Sequence, residues 1–492
     1  MGKALKSDRK KRFFKSISHG LNVPAKASAA SALSNVVSKA AALLFTPFFT
    51  RLMPPEEYGR YSLFYSYLSA LMIFSTLEIT GSVYFKASRK FSGERQGLEG
   101  KAFLLILVCS SVTFAAFLAA SKFFGIEEPF PGAYPLLLIS VISSAAVNLK
   151  VSGYKYSYKY KTPFLITVLQ SVISPLLALT LLRLVKNESS RVFFKVAVAT
   201  GVSLVIALPI IIGILFRSRR FGETGCRGAI PYLLKLALPM LPYYISLLII
   251  SSADRIIIGN VLGASELGKY AVGYSAGIAV GGVVSGAAQA LLPWLTRRIE
   301  YRDFSKIRRL TLSAQRIIIS VSLIFMALAP EIIGFLAPAS YRGALFILYP
   351  AAASALPLFL ISIHVCALVC YEKSFFVGGA SAVCAAFNLL SNALLIGRYG
   401  IGASAITTFI SYMLLFVIIC VIFRLVSGEK LLVVSKTARD TLLFITFAAA
   451  LFSFRNSLTV RLGAAVILAL LCATELYRSK SLFKEEGKKS IA

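Results

Sequence analysis

The stretch Pro54-Pro-Glu-Glu-Tyr-Gly-Arg-Tyr-Ser-Leu-Phe-Tyr65 occurs a second time in related form, as Gly263-Ala-Ser-Glu-Leu-Gly-Lys-Tyr-Ala-Val-Gly-Tyr274. Five positions match in kind: Glu57 with Glu266, Gly59 with Gly268, Arg60 with Lys269, Tyr61 with Tyr270, and Tyr65 with Tyr274. Each copy closes one long apolar segment and opens the next, so the two copies mark the same turn in two halves of the chain. A chain built from two related membrane-spanning halves is typical of many carriers.

The composition places the protein in the membrane. Hydrophobic residues make up 57% of the chain and charged residues 15%, with a mean hydropathy of +0.76. A soluble domain carries roughly 25% charged residues, and its apolar runs stop short of the ~20 residues that a transmembrane helix needs. Runs of that length recur here from end to end. The sequence therefore predicts an all-α, polytopic membrane protein.

Fourteen spans are predicted, and the repeated turn divides them into two sets of six followed by two more. The expected arrangement is a basic tail (1–26), an N-terminal lobe (27–217), a pseudo-symmetric C-terminal lobe (218–424), and two further spans with a second tail (425–492). The spans are 27–51, 61–85, 102–121, 134–152, 163–183, 192–216, 232–253, 268–292, 312–336, 344–371, 374–396, 401–423, 440–454 and 462–477.

Basic residues are concentrated on one side of these spans. The termini and the turns on their side carry 39 of the 53 lysines and arginines. This asymmetry follows the positive-inside rule and predicts that both termini are cytoplasmic in a multi-pass cell (inner) membrane protein. It also explains the net charge of +32 without nucleic acid, and it predicts attraction to anionic membrane lipids.

The sequence gives no sign of catalytic or metal chemistry. The seven cysteines are scattered, there are two histidines, and no metal-ligand spacing occurs. P-loop and GxSxG motifs are absent, and no loop is long enough to fold alone. We therefore predict no enzyme activity, no metal and no cofactor.

Prolines and glycines interrupt several spans. Pro175, Pro239, Pro242 and Pro357 lie inside predicted helices, where proline frees a carbonyl and bends the helix. Four glycines, at positions 273, 277, 281 and 282, lie along the eighth span, where small residues let helices approach closely.

Ionisable residues inside spans are the first candidates for a substrate cavity, because a charge at mid-membrane costs about 2.5–3.5 kcal/mol and usually faces a cavity or a partner. Lys39, with Asn35 one turn earlier, lies in span 1 and suits an anionic ligand. Glu78 lies in span 2, and a structural Lys39–Glu78 pair is an equal alternative. Asp254 and Arg255 are adjacent, so one should face the cavity while the other anchors the turn.

Uncharged polar residues extend this predicted cavity. Gln170 lies on span 5, and Asn388 and Asn392 lie one turn apart on span 11. Such groups can hydrogen-bond sugars, or they can join helices to one another. Both interpretations stay open from the sequence.

Three motifs stand out at the ends of spans: Thr46-Pro-Phe-Phe-Thr-Arg51 running on to Gly59, Ser252-Ala-Asp-Arg255-Ile-Ile-Ile-Gly259 running into Glu266-Leu-Gly-Lys-Tyr270, and Tyr399-Gly-Ile-Gly-Ala-Ser-Ala-Ile406. They resemble a known family, the O-antigen/capsule-type polysaccharide flippases of the multidrug/oligosaccharidyl-lipid/polysaccharide (MOP) superfamily. The resemblance implies two six-helix lobes in a V with an alternately open central cavity.

The resemblance also implies a cargo, a polyprenyl-pyrophosphate-linked oligosaccharide that crosses to the outer leaflet during surface polysaccharide assembly. Polysaccharide assembly proteins are then candidate partners. A cation-coupled multidrug exporter of the same superfamily, with Glu78 as its carboxylate, and a lipid II flippase remain as alternatives. A glycan polymerase or ligase is disfavoured because the outer turns are short.

Overall fold

The computed structural model describes residues 33–34, 37–91, 94–157, 159, 161–185, 187, 190–220, 226–371 and 373–489. At 81–82, 217–220, 283–290, 292–293, 297, 300, 374 and 478–489 only the backbone is described. Within these residues the chain is helical and contains no strand.

Among the described residues, the first half of the chain contains eight α-helices and two π-helical segments. They are α1 (37–52), α2 (Pro55–Thr76), a π segment (Ile79–Val83), α3 (Tyr84–Lys90), α4 (Arg95–Phe123), α5 (Ala133–Tyr156), α6 (Lys161–Val168), a π segment (Leu169–Ile173), α7 (Ser174–Leu184) and α8 (Arg191–Arg220).

The second half is more often interrupted, and two helices follow it. Its elements are α9 (Ala229–Ala237), a 3-10 turn (Leu238–Met240), α10 (Leu241–Leu248), a π segment (Ile249–Ala253), α11 (Asp254–Val261), α12 (Ala264–Glu300), α13 (Phe304–Ala327), α14 (Ala329–Leu336), a 3-10 turn (Ala339–Tyr341), α15 (Ala344–Ala353), α16 (Ala355–Cys370), α17 (Ser374–Tyr399) and α18 (Ile401–Ser427). The two that follow are α19 (Val434–Ser453) and α20 (Leu458–Lys489).

Every predicted span overlaps one or more of these helices, and ten helical segments among the described residues are long and apolar enough to cross a membrane. The protein is therefore a multi-pass membrane protein. The predicted spans 27–51, 61–85, 268–292 and 440–454 are not among the ten, so the count of fourteen stays a prediction.

The predicted prolines lie at or beside real helix breaks. Pro175 follows the π segment of span 5, and Pro239 lies within the 3-10 turn of span 7. The break in span 2 was not predicted, because Leu77 and Glu78, where it begins, are neither glycine nor proline. There Leu77 (φ 46°) and Glu78 (φ 51°) both adopt the left-handed conformation, which side chains with a Cβ disfavour.

The two copies of the repeated turn pack directly against each other. A Cβ placed on Gly59 would lie 1.7 Å from the Ala264 carbonyl oxygen, and one placed on Gly268 would lie 1.9 Å from the Pro55 carbonyl oxygen. Residues 55 and 264 are equivalent positions of the repeat, as are 59 and 268. The contact is therefore reciprocal, and only glycine permits the two backbones to approach so closely.

Three hydrogen bonds surround this glycine pair and also join the two halves. The Thr50 hydroxyl donates to the Leu336 carbonyl (2.6 Å), and Arg51 Nη2 donates to the Phe335 carbonyl (3.2 Å). The Tyr341 hydroxyl donates to the Met53 carbonyl (2.8 Å), and its ring meets the edge of Tyr58 at 6.2 Å. We call this set of residues the turn contact.

A second contact joins the halves through α9. Leu233 and Ala237 of α9 pack in one buried cluster with Ile79, Val83 and Leu98 of the first half. Before α9, the Cys226 backbone N–H donates to the Glu94 carboxylate, and its thiol lies 3.2 Å from the Glu94 carbonyl. On α9 itself, Tyr232 lies under Lys90 Nζ at 3.9 Å. We call this set the α9 contact. Through it α9, the first third of span 7, packs against helices of the first half of the chain.

The glycine series on α12 has two different uses. At Gly273 a Cβ would lie 2.2 Å from the Ala344 carbonyl oxygen, and at Gly277 it would lie 2.5 Å from Ala351 Cβ. These two glycines therefore allow α12 and α15 to pack closely, as the sequence predicted. Gly282 instead lies against the side chain of Lys39 from the first half.

Paired charges attach α19 and α20 to α13 and α14. Arg316 binds Asp440 at 3.0 Å and Glu475 at 3.1 Å, while Arg461 makes a two-point contact with Glu331 at 2.6 and 2.7 Å. Charges within a membrane protein are costly unless they are paired. These contacts therefore give the last two helices a defined docking position.

Replacing Arg316 with Met is expected to destabilise the protein by about 1–3 kcal/mol, because Asp440 and Glu475 lose the guanidinium that they share, although Asp440 keeps its contact with Arg439. Arg316 is one-third exposed, which favours the lower part of that range. Thermal denaturation in detergent measures the loss. Lys306→Met on the same helix is the control, because Lys306 is 48% exposed in its pair with Asp303. Equal stability of the two variants would contradict the docking role.

Candidate functional site between the halves

Lys39 lies in α1 with its side chain exposed and directed at the other half of the chain. A Cβ on Gly282 would lie 2.7 Å from Lys39 Cδ and 3.5 Å from its Nζ. Lys39 makes no ion pair with any described carboxylate, Glu78 included. The alternative of a structural Lys39–Glu78 pair is therefore absent from this conformation.

Glu78 occupies the break in span 2. Its backbone N–H donates a hydrogen bond to the Thr76 hydroxyl at 3.3 Å. Its side chain is half-buried and has no ion-pair partner among the described residues. Left-handed backbone at a residue with a bulky side chain is costly, and such strain often accompanies functional positions.

That one of Asp254 and Arg255 faces a cavity stays a prediction, and Asp254 itself faces a helix contact. Asp254 is fully buried, accepts a hydrogen bond from the Tyr270 hydroxyl, and accepts the Arg255 backbone N–H at 2.7 Å. The Arg255 guanidinium is half-buried and lies 5.4 Å from the centre of the Tyr274 ring. Arg255 is thus the more accessible of the two.

Asn388 and Asn392 are fully buried between α17 and α18. Asn388 Nδ2 donates to the Ser411 hydroxyl at 3.1 Å, and Asn392 Nδ2 donates to Asn388 Oδ1 at 3.2 Å. The Thr407 hydroxyl lies 2.5 Å from Asn392 Oδ1. In this conformation the two asparagines join helices rather than line a cleft, because their hydrogen-bonding groups are used within the helix pair.

Sequence reasoning missed the partners of these buried groups. Ser404, Thr407 and Ser411 recur at three- and four-residue spacing on α18, and that face meets the asparagine pair on α17. Ser404 also lies 3.5 Å from the Tyr270 hydroxyl, which extends the chain of polar contacts toward Asp254. A comparison of the spacing of hydroxyl residues on span 12 with the spacing of asparagines on span 11 would have indicated that these two faces pair.

Gln170 and Asn35 complete the set of predicted site residues. Gln170 lies on the π segment of span 5, where its Nε2 lies 3.5 Å from the Ser203 hydroxyl of α8. Asn35 lies outside the described residues. Among the predicted site residues with described side chains, Lys39 is exposed, and Glu78, Gln170 and Arg255 are half-buried.

Cys226 belongs to the α9 contact, and the reactivity of its thiol reports whether α9 is docked. Burial, together with the hydrogen bond to Glu94 and that residue's charge, raises the pKa of the Cys226 thiol to about 11. A thiol with that pKa is almost entirely protonated near pH 7.5 and reacts slowly with maleimides.

Replacing Tyr232 with Ala is expected to raise the maleimide reactivity of Cys226 at least about threefold, because α9 loses its contacts with Phe91 and Lys90. Mass spectrometry of the labelled peptide measures the rate. Tyr477→Ala is the control, since Tyr477 is exposed on α20. A rate unchanged in Tyr232→Ala would mean that α9 stays docked without these contacts.

Comparison with known proteins agrees with the motifs. Residues 25–298, more than half of the chain, match the family model of polysaccharide biosynthesis proteins. The chain belongs to the polysaccharide biosynthesis protein family. No curated protein sequence matches this member of the family.

Solved structures show which fold this polysaccharide biosynthesis protein has. Lipid II flippase MurJ in its inward closed conformation is 16% identical, with a TM-score of 0.63 over 92% of this chain and 99% of that one. A mutant of the Vibrio cholerae MATE transporter VcmN is 14% identical, with a TM-score of 0.54 over 83% and 99%. An outward-facing multidrug resistance MATE family transporter of the MOP superfamily is 13% identical, with a TM-score of 0.56 over 82% and 96%. At these identities the likeness shows the fold alone, which this chain shares with MurJ and the MATE transporters.

Proposed function

We propose that this protein moves a polyprenyl-(pyro)phosphate-linked oligosaccharide from the inner to the outer leaflet for surface polysaccharide assembly. Family membership supports the polysaccharide context, and the MOP fold supports a transporter. The observation that carries the proposal is Lys39, an exposed cation without a described carboxylate partner that lies against the opposite half. A point charge of this kind attracts a phosphate without selecting a particular sugar.

The proposed topology has fourteen spans and cytoplasmic termini. Residues 27–217 and 218–424 form the two lobes, and the helices of 425–492 dock beside the second lobe. The charge asymmetry supports this orientation, which places the turn contact on the outer side and the α9 contact on the cytoplasmic side.

Transport would proceed by alternating access. With the turn contact made, the outer side is sealed, and release of α9 from the first lobe opens the cavity to the cytoplasm. Span 7 is suited to this movement because it is interrupted twice, at Leu238–Met240 and at Ile249–Ala253. The glycan head would then cross through the cavity while the polyprenyl chain stays in the bilayer.

The membrane potential can supply part of the driving force. A cargo with two pyrophosphate charges moves outward along an inside-negative potential, which contributes about 2.3 kcal/mol per charge per 100 mV, or about 4–5 kcal/mol in total. Coupling to an ion gradient is compatible with this scheme but is not required by it.

A lipid II flippase is the second candidate, favoured by the fold similarity to MurJ. Loss of the protein separates the two proposals. For a polysaccharide flippase, depleted cells accumulate cytoplasm-facing lipid-linked oligosaccharide and lose surface polysaccharide while cell-wall synthesis continues. Arrested cell-wall synthesis would favour lipid II, and unchanged amounts of both lipid-linked glycans would contradict both.

A further inference from the structure

Lys195 is a buried cation that the proposed mechanism does not use. It lies on α8, is 5% exposed, and makes no ion pair with any carboxylate among the described residues. Its Nζ instead lies 3.5 Å from the centre of the Tyr61 ring, 3.9 Å from that of Phe49 and 4.7 Å from that of Tyr58. Three aromatic rings thus replace the water that an ammonium group would otherwise bind.

The rings around Lys195 belong to the segment that makes the turn contact. Phe49 lies near the end of α1, and Tyr58 and Tyr61 lie in the first copy of the repeated turn. Tyr58 in turn meets the edge of Tyr341 from the other half, whose hydroxyl binds the Met53 carbonyl. Lys195 therefore contacts Tyr58, and Tyr58 in turn contacts Tyr341 of the other half.

Two further contacts fix α8 to the same turn. Arg191 Nη1 donates to the Leu52 carbonyl at 2.6 Å, and the Val192 backbone N–H donates to the Glu57 carboxylate at 3.2 Å. The first turns of α8 therefore form a support behind the α1–α2 turn, with Lys195 at its centre.

The second copy of the turn is held differently. Its position equivalent to Tyr58 is Leu267, and the residue equivalent to Tyr61 is Tyr270, which binds the buried Asp254 through its hydroxyl. The caged cation is thus a property of the first half and does not follow from the repeat itself.

We propose that Lys195 is a positioning residue for the turn contact. Its ammonium group holds Tyr58 and Tyr61 in place, so that Tyr58 meets Tyr341 and the turn presents the Met53 carbonyl to the Tyr341 hydroxyl. An ammonium buried in the membrane is stable only while the rings enclose it, and this requirement links α8 to the closed turn. The link to transport rests on the proposed function, as does the outward orientation of the turn contact that the labelling test uses, but the link to closure does not.

The test measures how readily position 53 is reached from outside the cell. Met53 is 1% exposed, so Met53→Cys should react slowly with a membrane-impermeant maleimide. Adding Lys195→Met, which keeps the length but removes the charge, is expected to accelerate labelling between roughly two- and thirtyfold, as an ordinary cation–π contact predicts. Adding Lys195→Arg should leave labelling slow, because Arg also binds aromatic faces.

A second pair of variants keeps the proposal testable if Lys195→Met does not fold. Tyr61→Phe retains the ring and should keep position 53 protected, whereas Tyr61→Leu removes the ring and should expose it. Labelling is compared with the parent chain, which has Met at position 53, to correct for the native cysteines. Unchanged labelling in both Lys195→Met and Tyr61→Leu would overturn the proposal. Changed labelling together with normal glycan export would instead leave the role of Lys195 in closure standing and contradict the proposed mechanism, in which closure of the turn contact is needed for transport.

Discussion

Gly59→Ala is expected to reduce surface polysaccharide at least about tenfold while the protein remains in the membrane at its normal amount. The added Cβ would lie 1.7 Å from the Ala264 carbonyl oxygen, a distance that no real Cβ contact reaches, so the two turns must separate. Gly268→Ala should have the same effect, because its Cβ would meet the Pro55 carbonyl oxygen in the reciprocal position. Both variants are expected to prevent closure of the turn contact, which in the proposed mechanism seals the outer side.

The matched control for the glycine pair is Gly402→Ala. Gly402 also lies near the start of a helix, but nothing lies within 4 Å of its Cβ position. Surface polysaccharide, measured by immunoblotting against equal amounts of membrane protein, should be normal in this control. Normal polysaccharide in Gly59→Ala and Gly268→Ala would show that closure of the turn contact is not needed for transport.

Lys39→Ala is expected to lower transport by a similar factor, because the cavity loses its exposed cation and with it the attraction for the phosphate groups of the cargo. Lys39→Arg keeps the charge and should retain much of the activity. Both variants should accumulate in the membrane like the parent, since Lys39 makes no described ion pair whose loss would destabilise the fold.

Gly282 provides an independent check on Lys39. A Cβ at this position would lie 2.7 Å from Lys39 Cδ, so Gly282→Ala must displace the flexible lysine side chain without removing its charge. We expect a partial loss, smaller than that of Lys39→Ala. Full transport by Lys39→Ala at normal protein levels would remove Lys39 from the site.

Most of the helical architecture could be predicted from the sequence, because apolar length and proline position determine it locally. The close packing at Gly273 and Gly277 was predictable for the same reason, since small residues at helical spacing favour helix contact. The repeated turn was visible too, although the sequence did not reveal that its two copies touch each other. That contact depends on the relative placement of the halves, which no local pattern specifies.

The candidate site was less predictable, and particular residues show why. No glycine or proline signals the break at Leu77–Glu78, so the sequence placed Glu78 within an unbroken helix. Asn388 and Asn392 were grouped with the cavity because their polarity was visible, whereas their partners on α18 could be recognised only by matching two helices. Lys195 escaped notice because it lies near the end of span 6, where an interfacial lysine is ordinary.

The most direct test of the central claim uses the purified protein in proteoliposomes that contain a polyprenyl-diphosphate-linked oligosaccharide in both leaflets. A membrane-impermeant glycosidase added outside can cleave glycans in the outer leaflet alone. We predict that the parent protein renders nearly all of the glycolipid cleavable, whereas vesicles without protein stop at about half, the share that one leaflet of two holds. Vesicles with Lys39→Ala should pass that half at least about tenfold more slowly than the parent. Cleavage that stops at half with the parent protein as well would contradict the proposal that this chain is a flippase.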